Sequence, residues 1–209
     1  MPMPENKAPA KTFHELQALG IIDPPGYFKN LKDILDKTVV TLSKNDLSFK
    51  EIVLNNGIGI IIADLIRILS SKNRLFVVGN GGSAAIATHT LADYANAGGL
   101  KTVDIMSPSL ITCMANDYGY ENVFAKPIEM FAEAGDMLFA ISSSGKSPNI
   151  INAAEAAKVR GCEVITFSGF DAGNPLRKIG RMNFYTPSTH YGFVEPAHQT
   201  LIHCILDLF

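Results

Sequence analysis

From Arg74 to the end of the chain, short apolar runs alternate with stretches in which apolar residues recur every three or four positions. Short runs rich in β-branched and aromatic side chains are typical of buried strands, whereas the longer spacing predicts helices. The predicted strands are Leu75–Val78, Thr102–Met106, Met137–Ser142, Glu163–Ser168 and Met182–Thr186. This alternation predicts an α/β fold: a three-layer αβα sandwich with a five-stranded parallel sheet, doubly wound like flavodoxin.

Helices are predicted between these strands and after the last one. The first follows Val78 and extends through Tyr94; the others are Pro108–Ala115, Val123–Glu133, Ile150–Arg160, a short helix at Pro175–Ile179, and Val194–Phe209. Asn116–Tyr120 is predicted to form a turn between two of them, because it concentrates asparagine, aspartate and glycine.

Two further helical patterns precede the sheet, at Tyr27–Leu42 and Leu47–Ser71. Ser48 and Glu51 have the spacing of a capping box for the second helix. These helices carry more apolar positions than one sheet face requires, which favours an oligomer interface, although a helical layer on the sheet is an alternative. We therefore predict a proline-rich flexible arm at 1–25 and one domain at 26–209, with the helices in 26–72 and the α/β core in 73–209.

The composition excludes several classes of protein. Of the 209 residues, 47% are hydrophobic and 18% charged, which predicts a sizeable core. The net charge of −2 gives no basic field for nucleic acid or an anionic membrane. The longest apolar stretch, near Ile58–Leu69, contains Asp64 and Arg67, so no membrane span is expected. The three cysteines form no CxxC pair, as expected for buried thiols in a reducing cytoplasm.

A glycine-rich turn, Gly79–Ser83, follows the first predicted strand and leads into a helix. Glycine lets the backbone approach a ligand closely, and the free N–H groups at a helix start attract anions such as phosphate. The segment has neither the spacing of a dinucleotide-binding GxGxxG loop nor the lysine of a Walker A loop. Taken alone, it could also be a turn that binds nothing.

A second loop of the same kind, Ser142–Asn149, follows the third predicted strand. It offers serine hydroxyls, a glycine and Lys146 before another helix. Carboxyl ends of parallel strands meet at one edge of a sheet, so the two loops are expected to converge. The pair predicts a binding site for phosphate or a phosphosugar, whereas a serine-rich loop alone would be unremarkable.

Two helices each present a histidine and a carboxylate at helical spacing. His89 and Asp93 are four residues apart, and Glu195, Gln199 and His203 follow at intervals of four on the last helix. Two imidazoles and two carboxylates suit a tetrahedral zinc site. The alternative is that each histidine merely bonds a nearby polar group.

Four segments together resemble the sugar isomerase (SIS) domain family, and within it most closely the phosphoheptose isomerases. They read GNGGSAAIATH, MANDYG, AISSSGKSPNI and EPAHQTLIH. The resemblance covers Tyr27–Phe209. It implies that the substrate-binding residues are Asn80, Gly81, Gly82, Ser83, Asn116, Asp117, Ser142, Ser143, Ser144, Ser147 and Glu195. Lys146 stands where the family's serine loop has asparagine.

The resemblance also implies one zinc ion per subunit, held by His89, Asp93, Glu195 and His203. Asp93 and His203 inherit the roles of the catalytic acid and base. The family has glutamate at the position of Asp93 and glutamine at that of Glu195. An aldose–ketose isomerase moves a proton between C1 and C2 through an enediol, which requires bases near both carbons and stabilisation of an oxyanion.

The function implied is a cytoplasmic isomerase that converts sedoheptulose 7-phosphate to D-glycero-D-manno-heptose 7-phosphate. It would supply nucleotide-activated heptose for surface polysaccharide such as lipopolysaccharide, as a homotetramer with active sites near subunit interfaces. One alternative is a non-catalytic SIS module, either a phosphosugar-binding regulator or a tetrameric adaptor for a replication initiator. Another is an amino-sugar isomerase or etherase of the same family, in which the metal residues would be idle.

Overall fold

Seven strands form one mixed sheet in the computed structural model, which describes residues 23–44 and 48–209. The strands are β1 (Val39–Lys44), β2 (Ser48–Ile52), β3 (Arg74–Val78), β4 (Lys101–Val103), β5 (Met137–Ser142), β6 (Glu163–Ser168) and β7 (Met182–Tyr185). Their order is β2-β1-β7-β6-β5-β3-β4, and all neighbours from β7 to β4 are parallel. The five predicted strands are thus present and parallel, although β4 ends three residues early.

Seven helices are described along the chain. They are α1 (Pro24–Asp36), α2 (Leu54–Ser71), α3 (Gly82–Asn96), α4 (Pro108–Tyr118), α5 (Ala125–Phe131), α6 (Pro148–Val159) and α7 (Tyr191–Leu208). Two 3₁₀ turns lie at Tyr120–Asn122 and Pro175–Lys178. The predicted arm lies outside the described residues, apart from 23–25.

Successive residues of each central strand face opposite sides of the sheet, and each side carries its own apolar layer. Leu75 and Val77 belong to an apolar cluster with residues of α2, α3 and α7, whereas Phe76 and Val78 belong to a second cluster with residues of α4, α5 and α6. The strand β5 is buried along its whole length. The predicted three-layer αβα sandwich is confirmed.

The predicted helices at Tyr27–Leu42 and Leu47–Ser71 are wrong at their adjoining ends. The end of the first lies in β1 and the beginning of the second in β2, and these two strands form a hairpin. β1 pairs antiparallel with β7, so the hairpin covers an edge that the parallel sheet would leave unpaired. The capping box at Ser48 is also wrong, since Ser48 begins β2 and α2 is preceded by Val53.

The turn predicted at Asn116–Tyr120 is shorter than expected. α4 continues to Tyr118, so Asn116 and Asp117 lie on its last turn. Gly119 then ends the helix with a φ of 83°, which is unfavourable for residues with a side chain.

The chain divides into two compact units between Asp33 and Ile34. The described part of the first is the beginning of α1, where the rings of Tyr27 and Phe28 meet edge to face at 5.9 Å. The second contains the sheet and helices α2 to α7. The domain boundary expected near residue 25 stays a prediction.

Among the described residues, α2 alone is long and apolar enough to cross a membrane by length and composition. Its inner face is buried, and Asp64 on that face forms an ion pair with Arg181, which precedes β7. Ionic and apolar contacts therefore both hold α2 to the sheet.

Two glycines of α2 provide a test of the hairpin. A β-carbon at Gly57 would come within 2.7 Å of a Val40 methyl group, whereas one at Gly59 would meet no atom within 4 Å. We expect Gly57→Ala to lower the free energy of unfolding by about 1–3 kcal/mol through overpacking. Gly59→Ala should raise it by roughly 0.5–1 kcal/mol through helix propensity. Urea denaturation measures both, and equal shifts of the two variants would contradict the packing of β1 on α2.

Candidate active site

The glycine loop, Gly79–Gly82, connects β3 to α3 in a turn that favours glycine at positions 79 and 81. Gly81 has a φ of 54°. A β-carbon at Gly79 would come within 2.8 Å of the Ser83 side chain and closer still to its backbone. The loop therefore brings free backbone N–H groups to the start of α3, where the helix dipole favours an anion.

The serine loop, Ser142–Ser147, connects β5 to α6 at the same edge of the sheet. Gly145 has a φ of 62°, and its N–H donates to Ser142 Oγ at 3.2 Å. A β-carbon there would overlap the side chain of Asn174, which is fully buried. The loop is thus folded tightly enough to direct its hydroxyl groups inward.

The two loops meet in one cavity of about 240 Å³. Its lining consists of Asn80, Gly81, Gly82, Ser83, Ile141, Ser142, Ser143, Ser144, Ser147, Tyr191 and Glu195. Ser143 Oγ is buried and has no hydrogen-bond partner among the described residues, so it is available to a ligand. The expected convergence of both loops is present. Tyr191, by contrast, stands in no motif that would have pointed to it.

A pair of asparagines joins the two loops. The side-chain amides of Asn80 and Asn149 exchange two hydrogen bonds, both of 2.9 Å. The Tyr120 hydroxyl also donates to Asn80 Oδ1 at 3.4 Å. The Asn80 side chain thus positions the loops. Asn149, which sequence reasoning missed, is recognisable only from this contact.

The cavity contains no basic side chain among its described lining residues. Lys146 lies outside it, with Nζ 3.0 Å from Asp171 Oδ2. The N–H of Gly173 and, secondarily, Lys146 lower the pKa of Asp171. An anion in this cavity would therefore be held by hydroxyls, backbone N–H groups and two helix starts.

Asn116 and Asp117 do not line this cavity. Both are exposed on α4, where Asn116 Nδ2 donates to Asp117 Oδ1 at 2.8 Å. Their predicted contact with substrate stays a prediction.

A cluster of His89, Asp93 and His203 lies between α3 and α7. Nε2 of His89 is 3.1 Å from Nε2 of His203 and 3.0 Å from Asp93 Oδ2, which is 3.7 Å from His203 Nε2. All three ligand atoms lie within 4.8 Å of one another. The structure thus brings together three of the four predicted metal residues from two helices.

The cluster fits a zinc ion. Bonds of about 2.0–2.2 Å in a tetrahedron place ligand atoms roughly 3.3–3.6 Å apart, close to the observed separations. Three protein ligands are also typical of catalytic zinc sites, which keep one position for water or substrate. These residues form a group that could hold a metal ion.

Glu195, the fourth predicted metal residue, lies elsewhere. It lines the cavity, and its carboxylate is so close to Gly82 that a β-carbon at that glycine would overlap it. It is not part of the three-residue cluster. The glycine at the start of α3 therefore serves the approach of α7 as well as the turn.

His198, on the same helix as His203, is a core residue. It is fully buried, with Nε2 3.2 Å from the carbonyl oxygen of Ser168. Burial lowers the pKa of His198 to about 4. Its ring is therefore neutral near pH 7, and the Ser168 contact assigns the proton to Nε2.

Comparison with known proteins places the chain in a family. The SIS domain family model matches residues 27–169. A phosphoheptose isomerase from Pelobacter propionicus is 35% identical over 152 residues, which cover 70% of this chain and 80% of that protein. One from Citrifermentans bemidjiense is 36% identical over 142 residues, 65% of this chain and 73% of that protein. The structure of phosphoheptose isomerase GmhA from Neisseria gonorrhoeae aligns with a TM-score of 0.74 and 26% identity, covering 94% of this chain and 98% of that one.

The chain belongs to the SIS domain family. Like these relatives, it is an isomerase. The alternative of a non-catalytic SIS module is thereby set aside.

The buried His198 predicts how stability depends on pH. The unfolded chain binds the proton near pH 6.5 and the folded chain only near pH 4, so the contribution of His198 to stability is complete above pH 6.5. It is lost as the pH falls towards 4, and the loss at pH 5 relative to neutral pH is about 2 kcal/mol. We expect His198→Gln to be less stable at pH 7.5 but to lose less stability between pH 7.5 and 5. Urea denaturation at both pH values checks this, with His190→Gln as the control; an unchanged pH dependence in His198→Gln would contradict it.

Proposed function

We propose that the chain interconverts a ketose phosphate and an aldose phosphate, namely sedoheptulose 7-phosphate and D-glycero-D-manno-heptose 7-phosphate, through an enediol. Two relatives named phosphoheptose isomerase support a heptose phosphate as the substrate. The product would enter the synthesis of nucleotide-activated heptose for surface polysaccharide. We further propose that the enzyme works in the cytoplasm as a homotetramer.

The observation that carries this proposal is the spacing of the cavity and the cluster along α3 and α7. His89 is seven residues beyond Gly82, and His203 is eight beyond Glu195. At 1.5 Å per residue, both intervals correspond to roughly 10–12 Å along the helix axis. Three bonds of an extended chain span about 3.5 Å, so a heptose phosphate reaches about 9 Å from phosphate to C1. A seven-carbon sugar is therefore long enough to bring C1 and C2 near the cluster.

In this arrangement the phosphate occupies the cavity between the two loops. Ser142, Ser143, Ser144 and Ser147 would donate hydroxyl hydrogen bonds, together with Ser83. Backbone N–H groups of Gly81 and Gly82 would bind further phosphate oxygens. The reacting carbons would extend along the groove between α3 and α7.

Proton transfer falls to Asp93 and His203. A carboxylate and an imidazole side by side can remove the proton from one carbon and return it to the next. With zinc bound, each would use the atom that the metal leaves free, namely the second carboxylate oxygen of Asp93 and Nδ1 of His203. His89 contacts both and keeps them together. Zinc, held by His89, Asp93 and His203, would polarise the carbonyl as a Lewis acid. That Glu195 also ligates it stays a prediction.

Turnover and metal content test the proposed reaction together. We expect the purified protein to isomerise sedoheptulose 7-phosphate and to contain about one zinc per chain by plasma mass spectrometry, as for catalytic zinc sites. Chelator treatment should remove both metal and activity, and zinc should restore them. Full activity of metal-free protein would refute the role of zinc. A metal-loaded protein without activity on the heptose would refute the substrate.

Substitutions in the cluster separate its two roles. Asp93→Asn should lower kcat by at least about 100-fold, because an amide cannot accept the proton. His89→Ala should lower zinc content, because it removes one ligand of three. His190→Gln, on the exposed start of α7, is the histidine control and should leave both unchanged. Wild-type kcat and zinc content in Asp93→Asn would exclude the cluster as the active site.

A further inference from the structure

Two side chains of α7, Tyr191 and Glu195, line the same cavity as the glycine and serine loops. They are four residues apart and therefore lie on one face of the helix. The remaining lining residues contribute hydroxyls, an amide, backbone and one isoleucine. Among these described residues Glu195 is the only charged one, and its charge has the same sign as that of a phosphate.

The Glu195 carboxylate has no hydrogen-bond partner among the described residues, although it is partly buried. A carboxylate shielded from water is costly unless donors satisfy its oxygens. The nearby Gly82 leaves it in contact with the cavity. The Glu195 carboxylate is therefore a hydrogen-bond acceptor without a donor in the described part of the chain, and it lies beside the hydroxyl and N–H donors of the two loops.

The ring of Tyr191 is held in place from behind. It meets the ring of Phe170 at a centroid distance of 4.8 Å, edge to face. Phe170 has a φ of 57°, a left-handed conformation that is rare for an aromatic residue. Its N–H donates to the Ser188 carbonyl at 2.8 Å, and its own carbonyl accepts from the Tyr185 hydroxyl at 2.9 Å. Such strained conformations persist only where the surroundings enforce them, and they cluster at ligand sites.

We infer that Tyr191 and Glu195 make the cavity selective for a phosphate ester with hydroxyl groups on the neighbouring carbons, over inorganic phosphate or an alkyl phosphate. The inference rests on the proposed function only in placing a phosphate between the two loops. Glu195 accepts hydrogen bonds from the hydroxyls, and the Tyr191 ring covers the C–H side of the same carbons.

The charge of Glu195 makes this a selection against the wrong ligand as well as for the right one. A bare phosphate receives no donor contact from Glu195 and is repelled by it. A polyol phosphate meets the same repulsion but offsets it with hydrogen bonds to a charged acceptor, which are among the stronger kind. Binding sites commonly gain specificity in this way, by placing a repulsive group where only the correct ligand can compensate for it.

Three small phosphates isolate the effect, because they differ only in the group attached to the phosphate: inorganic phosphate, n-propyl phosphate and glycerol 3-phosphate. Isothermal titration of the full-length protein should show glycerol 3-phosphate binding at least about tenfold tighter than n-propyl phosphate. Glu195→Gln should raise the affinity for inorganic phosphate about fivefold, since the repulsion is gone. The same variant should reduce the preference for glycerol 3-phosphate to about threefold or less, because an amide accepts fewer hydroxyl donors.

Two further variants complete the experiment. Tyr191→Ala should reduce the preference for glycerol 3-phosphate and leave inorganic phosphate unchanged. Glu155→Gln removes the same charge from an exposed position on α6 and should change nothing. Thermal melting and zinc content of each variant show whether fold and metal are retained.

The opposite shifts of the two ligands in Glu195→Gln are the decisive result. Equal weakening of all three phosphates would show that Glu195 is merely structural, and unchanged affinities would show that it is idle. A loss of zinc without a change in selectivity would make it a metal ligand instead. Each of these results overturns the inference even if the wild-type protein turns over sedoheptulose 7-phosphate. Conversely, the selectivity would stand if that turnover were absent.

Discussion

The close contact of α3 with α7 is the constraint on which the rest of the site depends. Both helices start at the carboxyl edge of the parallel strands, and they touch at Gly82 and Glu195 near their beginnings. Further along, the buried Tyr94 hydroxyl donates to the Ile202 carbonyl at 2.9 Å. This register brings His89 opposite His203. A shift of one helical residue, about 1.5 Å, would separate the two imidazoles and move Glu195 out of the cavity.

The same contact explains why Gly82 has two functions. Its missing side chain lets α7 approach the start of α3, where the helix dipole is strongest. The cavity and the helix interface therefore share one residue. The described lining of the cavity has no basic side chain, so an anion there would be held by oriented dipoles rather than by a positive charge. Dipoles act only at short range, so their alignment is critical. The Asn80–Asn149 pair, which aligns the two loops, is therefore more important than it would be if a lysine supplied a positive charge to the cavity.

The N-terminal half shows where periodicity misleads. Val39, Val40 and Leu42 satisfy a helical spacing as an extension of α1, yet they form β1. β-branched residues suit both interpretations over so short a run. Whether these residues form a strand depends on β7. β1 pairs with the edge of β7, and Val40 lies opposite Phe184. Nothing local to residues 39–42 contains that information.

Local rules of sequence suffice for the five parallel strands, the glycine and serine loops and the residue types of the cluster. Those rules are the period of apolar residues, glycine where φ must be positive, and side chains one turn apart on a helix. Which of those residues meet depends on the tertiary structure. His89 and His203 are 114 positions apart, and Asn80 and Asn149 are 69 apart. The packing also leaves Glu195 outside the cluster of His89, Asp93 and His203. The position of Glu195 depends on how α7 packs against Gly82. That packing is a relation between two helices, and the residue pattern of neither helix encodes it.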